Sequence, residues 1–580
     1  MRGATGHQCD VLVIGSGAAG LAAAVTAAHL GLKVLVAEKA SQFGGTSAWS
    51  GGWLWIPRNP LAMAEGLEDS AEAVERYLCA ELGTNQLDER LYAFLRHGPE
   101  MVEFFQRYTH VQFYSGSRMP DMHDSPGAAR GGRSLCAQPF DGRQLGPWLQ
   151  ALRPPLDLIS LGGMGIAGGA DLAHFFNASR SPRSAWYVAG RLLRHWRDLL
   201  LHGRGLHLVN GNALVARLLR SALDLGVSLE ANAPALGLLR EGDRVVGAEL
   251  QLNGQRVQVR ADRGVVLACG GFPHDRGRID QMFEHQNHLS AAPSTNSGEG
   301  LRLGEKVGAQ VVTEISSPAA WAPVSRVPRA DGSHSGFPHL MDRAKPGFIA
   351  VLRNGKRFTN EADSYHDFMN ALFRATLAGE EPAAWLICDH PAQRRYGIGW
   401  ARPFPFPTAN YVRKGYLFRS ATLAGLAALC GLDAQQLEAT VAEFNRHARN
   451  GEDPHFQRGA STYNKAQGEP LHGPNPSLGA LARGPFYAVK LVPGSLGTFA
   501  GLRTDASARA LDADGDVIHG LYAVGNDMAS VMAGHYPSGG ITLGPGMTFG
   551  YLAGQALAAE AVGTSDDEAT TRRSSPCGAA

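Results

Sequence analysis

Several things are missing from this chain of 580 residues, and each absence excludes a class of protein. Seven cysteines (Cys9, Cys79, Cys136, Cys269, Cys388, Cys430 and Cys577) include no C-x-x-C pair and no disulfide-like spacing. That argues against a zinc or iron–sulfur site and for a reducing compartment. Charge of one sign is also lacking: 54 Lys and Arg stand against 53 Asp and Glu, a net charge of +1 with neutral His. Such balance gives no argument for nucleic acid or for an acidic partner. No apolar run approaches the roughly 20 residues that a membrane-spanning helix needs. The N-terminal MRGATGHQCD has no signal-peptide apolar core, so a cytoplasmic location is expected. Glycine, by contrast, is abundant: 72 residues, above the usual share of roughly 7%. A chain this long exceeds what one hydrophobic core organises, so two or more domains are expected.

The glycines concentrate where backbone has to approach a ligand. The segment CDVLVIGSGAAG begins with a continuous apolar run, the pattern of a strand buried on both faces. It runs into Gly15, Gly17 and Gly20, a G-x-G-x-x-G turn, with Ala18 and Ala19 opening the helix. Gly15 permits the tight turn, Gly17 lets a pyrophosphate approach, and Gly20 lets helix pack on strand. The helix N-terminus offers N–H groups and a positive dipole end to the phosphates. A second strand, KVLVAEK, ends at Glu38 and Lys39, where an acid is expected to hold ribose hydroxyls.

Three more glycine-bearing elements follow the same logic. SQFGGTSAWSGGWLWIP carries Gly44, Gly45, Thr46, Ser47, Ser50, Gly51 and Gly52, a second wrap suited to pyrophosphate and a flavin ring. GVVLACGGF is a buried strand ending at Gly270 and Gly271, with Cys269 expected to be buried and inert. GLYAVGN runs to Gly525 and Asn526, just ahead of GHYPSGGITLGPGMTFGYLAG, which contributes Gly540, Ile541 and Leu543. Elements near both chain ends thus point to one nucleotide site in a discontinuous domain.

On these motifs the chain resembles the fumarate reductase and 3-ketosteroid dehydrogenase superfamily of FAD flavoproteins, from Asp10 to about Val562. The resemblance implies an α/β protein with a Rossmann-like, glutathione-reductase-type FAD-binding domain and an inserted α+β catalytic domain. The expected divisions are residues 1–272 and 484–563 for FAD and 273–483 for the insert. Residues 564–580, polar and poor in apolar side chains, are expected to form a disordered tail. The loop GGTSAWSGG lacks the histidine of covalently flavinylated members, so the FAD is expected to be non-covalent. No second strand–turn–helix–strand unit built on G-x-G-x-x-G is read for a nicotinamide, and there is no C-x-x-C-H haem motif. Electrons are therefore expected to leave to an external acceptor, a quinone or similar. No metal is implied.

The insert carries NGKRFTNEADSYHDFMNAL, with Tyr365 where fumarate reductase-like members have an arginine. Their second arginine, before the late glycine pair, is replaced by HYPSGG, so a C4-dicarboxylate substrate is rejected. YPSGGITLGPGMTFGY instead resembles the closing motif of ketosteroid Δ1-dehydrogenases; SGGWLWIP and PGAARGGRS…PFDGRQLG match more loosely. Carried over by resemblance, Tyr365 is the catalytic base, while Tyr536 and the Gly540 N–H hold the ketone oxygen. The chemistry suits these types: removing an α-proton needs a base of high pKa, here a phenol expected to be lowered by a neighbour. The developing enolate needs preorganised donors. His366 and His535 are read as neighbours rather than actors.

The resemblance breaks at MPDMHDSPG, where Met122 and His123 stand in place of the tyrosines that usually support the base. His123, Tyr114 and Tyr187 remain as candidate partners. Ser538, two residues after Tyr536, resembles the tyrosine–x–serine of Δ4-dehydrogenases acting on saturated 3-ketosteroids. A cyclohexanone-type desaturase, a Δ4-dehydrogenase and a non-catalytic flavin-binding subunit stay beside the Δ1 reading. The basic amphipathic segment YVAGRLLRHWRDLLLHGRG is expected to be a packed helix with a solvated basic face, with peripheral membrane contact left open.

Overall fold

A strand without polar alternation has to be covered on both faces, and His7–Ile14 is placed that way. It lies in parallel between Val34–Ala37 and Gln255–Leu267, with Val11 opposite Val34 and Leu12 opposite Val265. The computed structural model describes residues 7–285 and 287–560, which leaves the expected tail at 564–580 outside the described residues. The architecture is mixed α/β. Its eight-stranded sheet runs in the order 509–511, 517–523, 255–267, 7–14, 34–37 and 228–230. A hairpin of Ala235–Glu241 and Arg244–Leu252 hangs from the long strand 255–267.

The two chain ends meet in this unit. Helix Ala18–His29 packs on helix Leu543–Ala559, and both are largely buried. Side chains at Gly550 and Gly554 would prevent the contact: a Cβ on Gly550 would lie 2.4 Å from the Ala19 carbonyl oxygen, and one on Gly554 2.7 Å from the Thr26 Cβ.

A second, seven-stranded sheet orders 334–338, 319–328, 486–498, 384–388 and 348–351, with two short strands also pairing to 486–498. Here the structure departs from the expected division at 484. Phe486–Thr498 is the central strand of this second sheet, pairing Val324 with Val492 and Ile387 with Ala488. The chain rejoins the first sheet only at Arg509–Leu511. The reason is length: its 13 residues reach from the second sheet to the segment that follows strand 255–267 of the first, where the Phe272 N–H donates to the Thr498 hydroxyl at 3.4 Å.

The loop leading to Tyr365 is pinned by buried ions. The Arg357 guanidinium bonds Glu361 at 2.6 Å and Asp453 at 2.8 Å, and Arg458 reaches Glu361 at 3.0 Å. The GKRFTNE motif thus has a structural task. Burial alone would raise the Glu361 pKa, but Arg357 and Arg458 hold it down to about 2.

Helix Pro182–His202 overturns an expectation. Its buried residues are polar: Ser184, Arg191, His195 and Asp198. Arg191 pairs with Asp171 at 2.7 Å, and His195 bonds the Gly162 carbonyl at 2.9 Å. Those partners turn the apolar side outward, leaving Trp186 84%, Trp196 60% and Leu200 86% exposed, beside Leu193 and Leu201. No helix among the described residues is long and apolar enough to cross a membrane.

Candidate active site

The turn after the first strand opens onto a cavity of about 790 Å³. Gly15, Gly17, Ala18, Ala19, Glu38 and Lys39 lie on its wall, and so do Gly45, Thr46, Ser47, Ser50, Gly51 and Gly52. From late in the chain come Gly270, Gly525, Asn526, Gly540 and Leu543. At Gly15, φ is +109° and a Cβ would meet the Ala268 carbonyl oxygen at 2.2 Å, so only glycine makes the turn. The next glycine, Gly17, has no atom nearer its Cβ position than the Ser47 hydroxyl at 3.5 Å, which leaves the backbone open to the cavity. The two loops are tied together: the Ala18 N–H donates to the Ser47 hydroxyl at 3.0 Å.

Four expected contacts are off the wall. Gly20 lets the helix pack, its Cβ position 2.2 Å from the Gly15 carbonyl oxygen. Gly44 donates its N–H to the Ser16 hydroxyl at 3.0 Å. Gly271 donates to Asp527 at 2.9 Å with no room for a side chain, and Ile541 is buried in the core. These four shape the cavity from behind.

Sequence reading missed the residues that brace it. Ser16 holds Glu38 through its N–H at 3.1 Å and its hydroxyl at 2.6 Å. Asn296 donates to Thr46 at 3.0 Å, and Lys39 is paired with Glu299. Asp527, which burial pushes up to about 6, accepts from the Cys269 and Gly271 N–H groups. Ser16 and Asp527 lie beside glycines already singled out, but their own side chains carry no signal in the sequence. Cys269 is on the wall, and burial pushes its thiol well up, in keeping with an inert group.

At the other end of the cavity stand the phenols. Ser364 caps helix Tyr365–Ala375 by accepting the Asp367 N–H at 3.1 Å, which fixes Tyr365 at the first helical position. The rings of Tyr365 and Tyr536 meet edge to face, 5.0 Å between centroids, and both are buried on the cavity wall. Each phenol bears on the ionisation of the other. Burial pushes Tyr365 well above the ordinary phenol value, Tyr536 and Tyr463 add to this, and the Arg343 charge opposes it. That corrects the expected lowering of Tyr365: desolvation outweighs its neighbour. Burial takes Tyr536 to about 12, with Tyr365 opposing the rise. Gly540, φ +106°, sits with its Cβ position 2.6 Å from the Trp55 nitrogen, so its backbone forms the wall itself.

The candidate partners of Tyr365 are elsewhere. His123 is off the wall between Glu81 and Asp367, the latter at 2.6 Å. Burial would lower its pKa, but the two carboxylates raise it to about 10, so it is a cation in an ion triad. Tyr114 packs edge-on to Trp53, and Tyr187 bonds Asp171 and stacks on His174. Ser538 is fully buried beside Asp121. Met122 alone of this set reaches the wall. The third phenol is Tyr463, in the short helix Thr462–Gln467, which no motif announced.

Comparison with known proteins now bears on this geometry. Residues 10–543 match the family described as FAD binding domain. The chain belongs to that family. It is 40% identical to 4-oxocyclohex-2-ene-1-carboxylate 5-dehydrogenase of Sinomonas cyclohexanicum, over 95% of this chain and 94% of the relative. It is 36% identical to 3-oxosteroid 1-dehydrogenase of Mycobacterium tuberculosis, over 96% and 99%. The crystal structure of 3-ketosteroid Δ1-dehydrogenase from Sterolibacterium denitrificans with 1,4-androstadiene-3,17-dione superposes with a TM-score of 0.88 at 36% identity, covering 95% of this chain and 100% of the other. The protein is an FAD-dependent oxidoreductase acting on CH–CH bonds. The cavity fits that cofactor, with open backbone at one end and phenols at the other.

Proposed function

We propose that the protein desaturates a cyclic ketone beside its carbonyl, taking 3-ketosteroids at the 1,2 position. The supporting observation is the pairing of Tyr365 and Tyr536 next to Gly540, on the cavity that also contains the first glycine turn. The FAD-binding unit comprises residues 1–272 and the chain after the long strand 486–498, with the catalytic unit between. Gly15, Gly17, Glu38, Thr46, Ser47, Gly270, Gly525 and their wall neighbours hold FAD non-covalently. Bound FAD supplies the two-electron sink for the β-hydride.

In this reading the phenolate oxygen of Tyr365 takes the α-proton. The Tyr536 hydroxyl and the Gly540 N–H donate to the ketone oxygen, where negative charge develops. Each such donor lowers the barrier by about 3–4 kcal/mol in a dry site. Burial of both phenols excludes water from the enolate. The substrate loses one proton and one hydride, and an external acceptor of the quinone class reoxidises the flavin. Tyr536→Phe is expected to lower kcat by about 10²–10³ with flavin content unchanged.

Anaerobic mixing with androst-4-ene-3,17-dione tests the reading: the flavin absorbance bleaches and a 1,2 double bond appears. No bleaching by any cyclic ketone sends the chain back to a non-catalytic flavin-binding role. A second reading, a carboxylated cyclohexanone as substrate, is favoured by one observation. Lys345 and Arg402 are on the same wall and bond backbone carbonyls, without a carboxylate partner among the described residues. Bleaching by 4-oxocyclohexanecarboxylate and not by the steroid selects it. The exposed Trp186, Trp196 and Leu200, flanked by Arg183, Arg194 and Arg197, form the peripheral membrane contact.

A further inference from the structure

Arg343 has no part in the chemistry above, yet it is 1% exposed and close to the phenols. Its guanidinium donates to three backbone carbonyls: His339 at 2.8 Å, Glu361 at 2.7 Å and Asp363 at 3.3 Å. It also lies over the Phe368 ring, 4.8 Å from the centroid. Asp363 and Phe368 flank Tyr365 in sequence, so the cation is held beneath the start of that helix.

The comparison with its neighbours is instructive. Arg458, equally buried, and Arg357, less so, share the carboxylates of Glu361 and Asp453. Arg343 forms no ion pair with any carboxylate of the described residues. A guanidinium keeps its proton even when buried, and an uncompensated buried charge is unfavourable for folding. The groups near enough to offset that charge are Asp363 and, once ionised, the phenols of Tyr463 and Tyr365.

We propose that Arg343 is a positioning residue that stabilises the phenolate of Tyr365 and so sets the pH at which the base becomes competent. The inference rests on Tyr365 being the base. Among the groups facing that phenol, Tyr536 and Tyr463 oppose its ionisation after burial does, and Arg343 favours it. Burial also pushes Tyr463 up, and there too Arg343 opposes the rise. The carboxylates nearest Arg343 are Asp342, Asp363 and Glu361. Asp342 is paired with His339 at 2.7 Å and Glu361 with two arginines, which leaves Asp363. Burial, with Asp367 adding, pushes Asp363 up to about 6. Asp367 itself is tied to the His123 cation.

The experiment is the pH dependence of kcat/KM for flavin-loaded protein from about pH 7, where Asp363 is ionised, upward until the rate levels off, since burial places Tyr365 above the ordinary phenol value. The ascending limb reports the base of the free enzyme. Without the cation the phenolate is harder to form, so in Arg343→Gln the limb moves to higher pH. A move of one pH unit lowers the rate on the limb about tenfold. Arg343→Lys keeps the charge and restores most of the shift. Asp363→Asn removes the opposing charge, keeps an acceptor for Asn464, and moves the limb the other way; it also serves if Arg343→Gln does not load flavin. A lower rate with an unmoved limb in Arg343→Gln, an equal shift in Arg343→Lys, or an unmoved limb in Asp363→Asn each overturns the proposal. Tyr365→Phe separates the two claims: if turnover and its limb survive there, the assignment of the base has failed, whatever Arg343 does.

Discussion

The two ends of the cavity are built by opposite means. At the nucleotide end the wall is mostly backbone: Gly15, Gly17, Gly45 and Gly525, with hydroxyls from Thr46, Ser47 and Ser50. At the ketone end it is side chain, with Tyr365, Tyr463 and Tyr536 over buried arginines. The first end depends on close approach and tolerates no added atom; the second depends on charge placed in a dry environment. A ligand common to many enzymes is met by backbone, and the particular reaction by a few groups whose ionisation the interior controls.

Breaking the first end should have the largest effect. Gly15→Val puts a branched side chain against the Ala268 carbonyl oxygen, so the purified protein is expected to be colourless and inactive. Its absorbance spectrum decides the matter. Tyr365→Phe should break only the second end, lowering kcat by about 10²–10⁴ while the protein stays yellow. If that variant loses its flavin, the two ends are not separable.

A smaller effect sharpens the comparison by acidification. Glu361 is held at about 2 against an ordinary 4.5, a depressed carboxylate. Its contribution is fully present above the unfolded value and is lost as pH falls from about 4.5 through about 2. Unfolding midpoints should therefore fall across that window. Glu361→Gln, which strands Arg458 and leaves Arg357 with Asp453 alone, should cost about 3–5 kcal/mol at neutral pH. Denaturant titration measures both. The smallest effect on turnover is expected from Trp196→Glu with a water-dispersed substrate, while co-flotation with anionic vesicles should drop. An unchanged flotation profile would show that the exposed face serves something other than a lipid surface.

The nucleotide end was legible because its constraints are local. A strand, a turn needing positive φ and a packing helix lie within some 20 neighbouring residues, and each leaves a glycine behind. Tyr365 and Tyr536 were legible through flanking motifs. Arg343, Tyr463 and Asn296 were not, since each is brought in across the chain and nothing beside it is unusual. The partner sought for Tyr365 in His123 was misjudged for a similar reason: Glu81 and Asp367, far apart in sequence, claim both ring nitrogens. Helix Pro182–His202 was read from its own amphipathicity, but Asp171 and the Gly162 carbonyl decided which face turned inward.

The contact between helix Ala18–His29 and helix Leu543–Ala559 has a consequence for how the protein is made. The surface that covers the helix of the first βαβ unit is synthesised long after that unit. Until residues near Gly550 and Gly554 emerge, Ala19, Ala22, Ala23 and Thr26 lack their final cover, and Leu543 and Gly546 are missing from the cavity wall. Cofactor capture therefore belongs to the end of synthesis. A chain truncated before that helix would be released with an exposed apolar flank, as a client for chaperones and proteases rather than a smaller working enzyme.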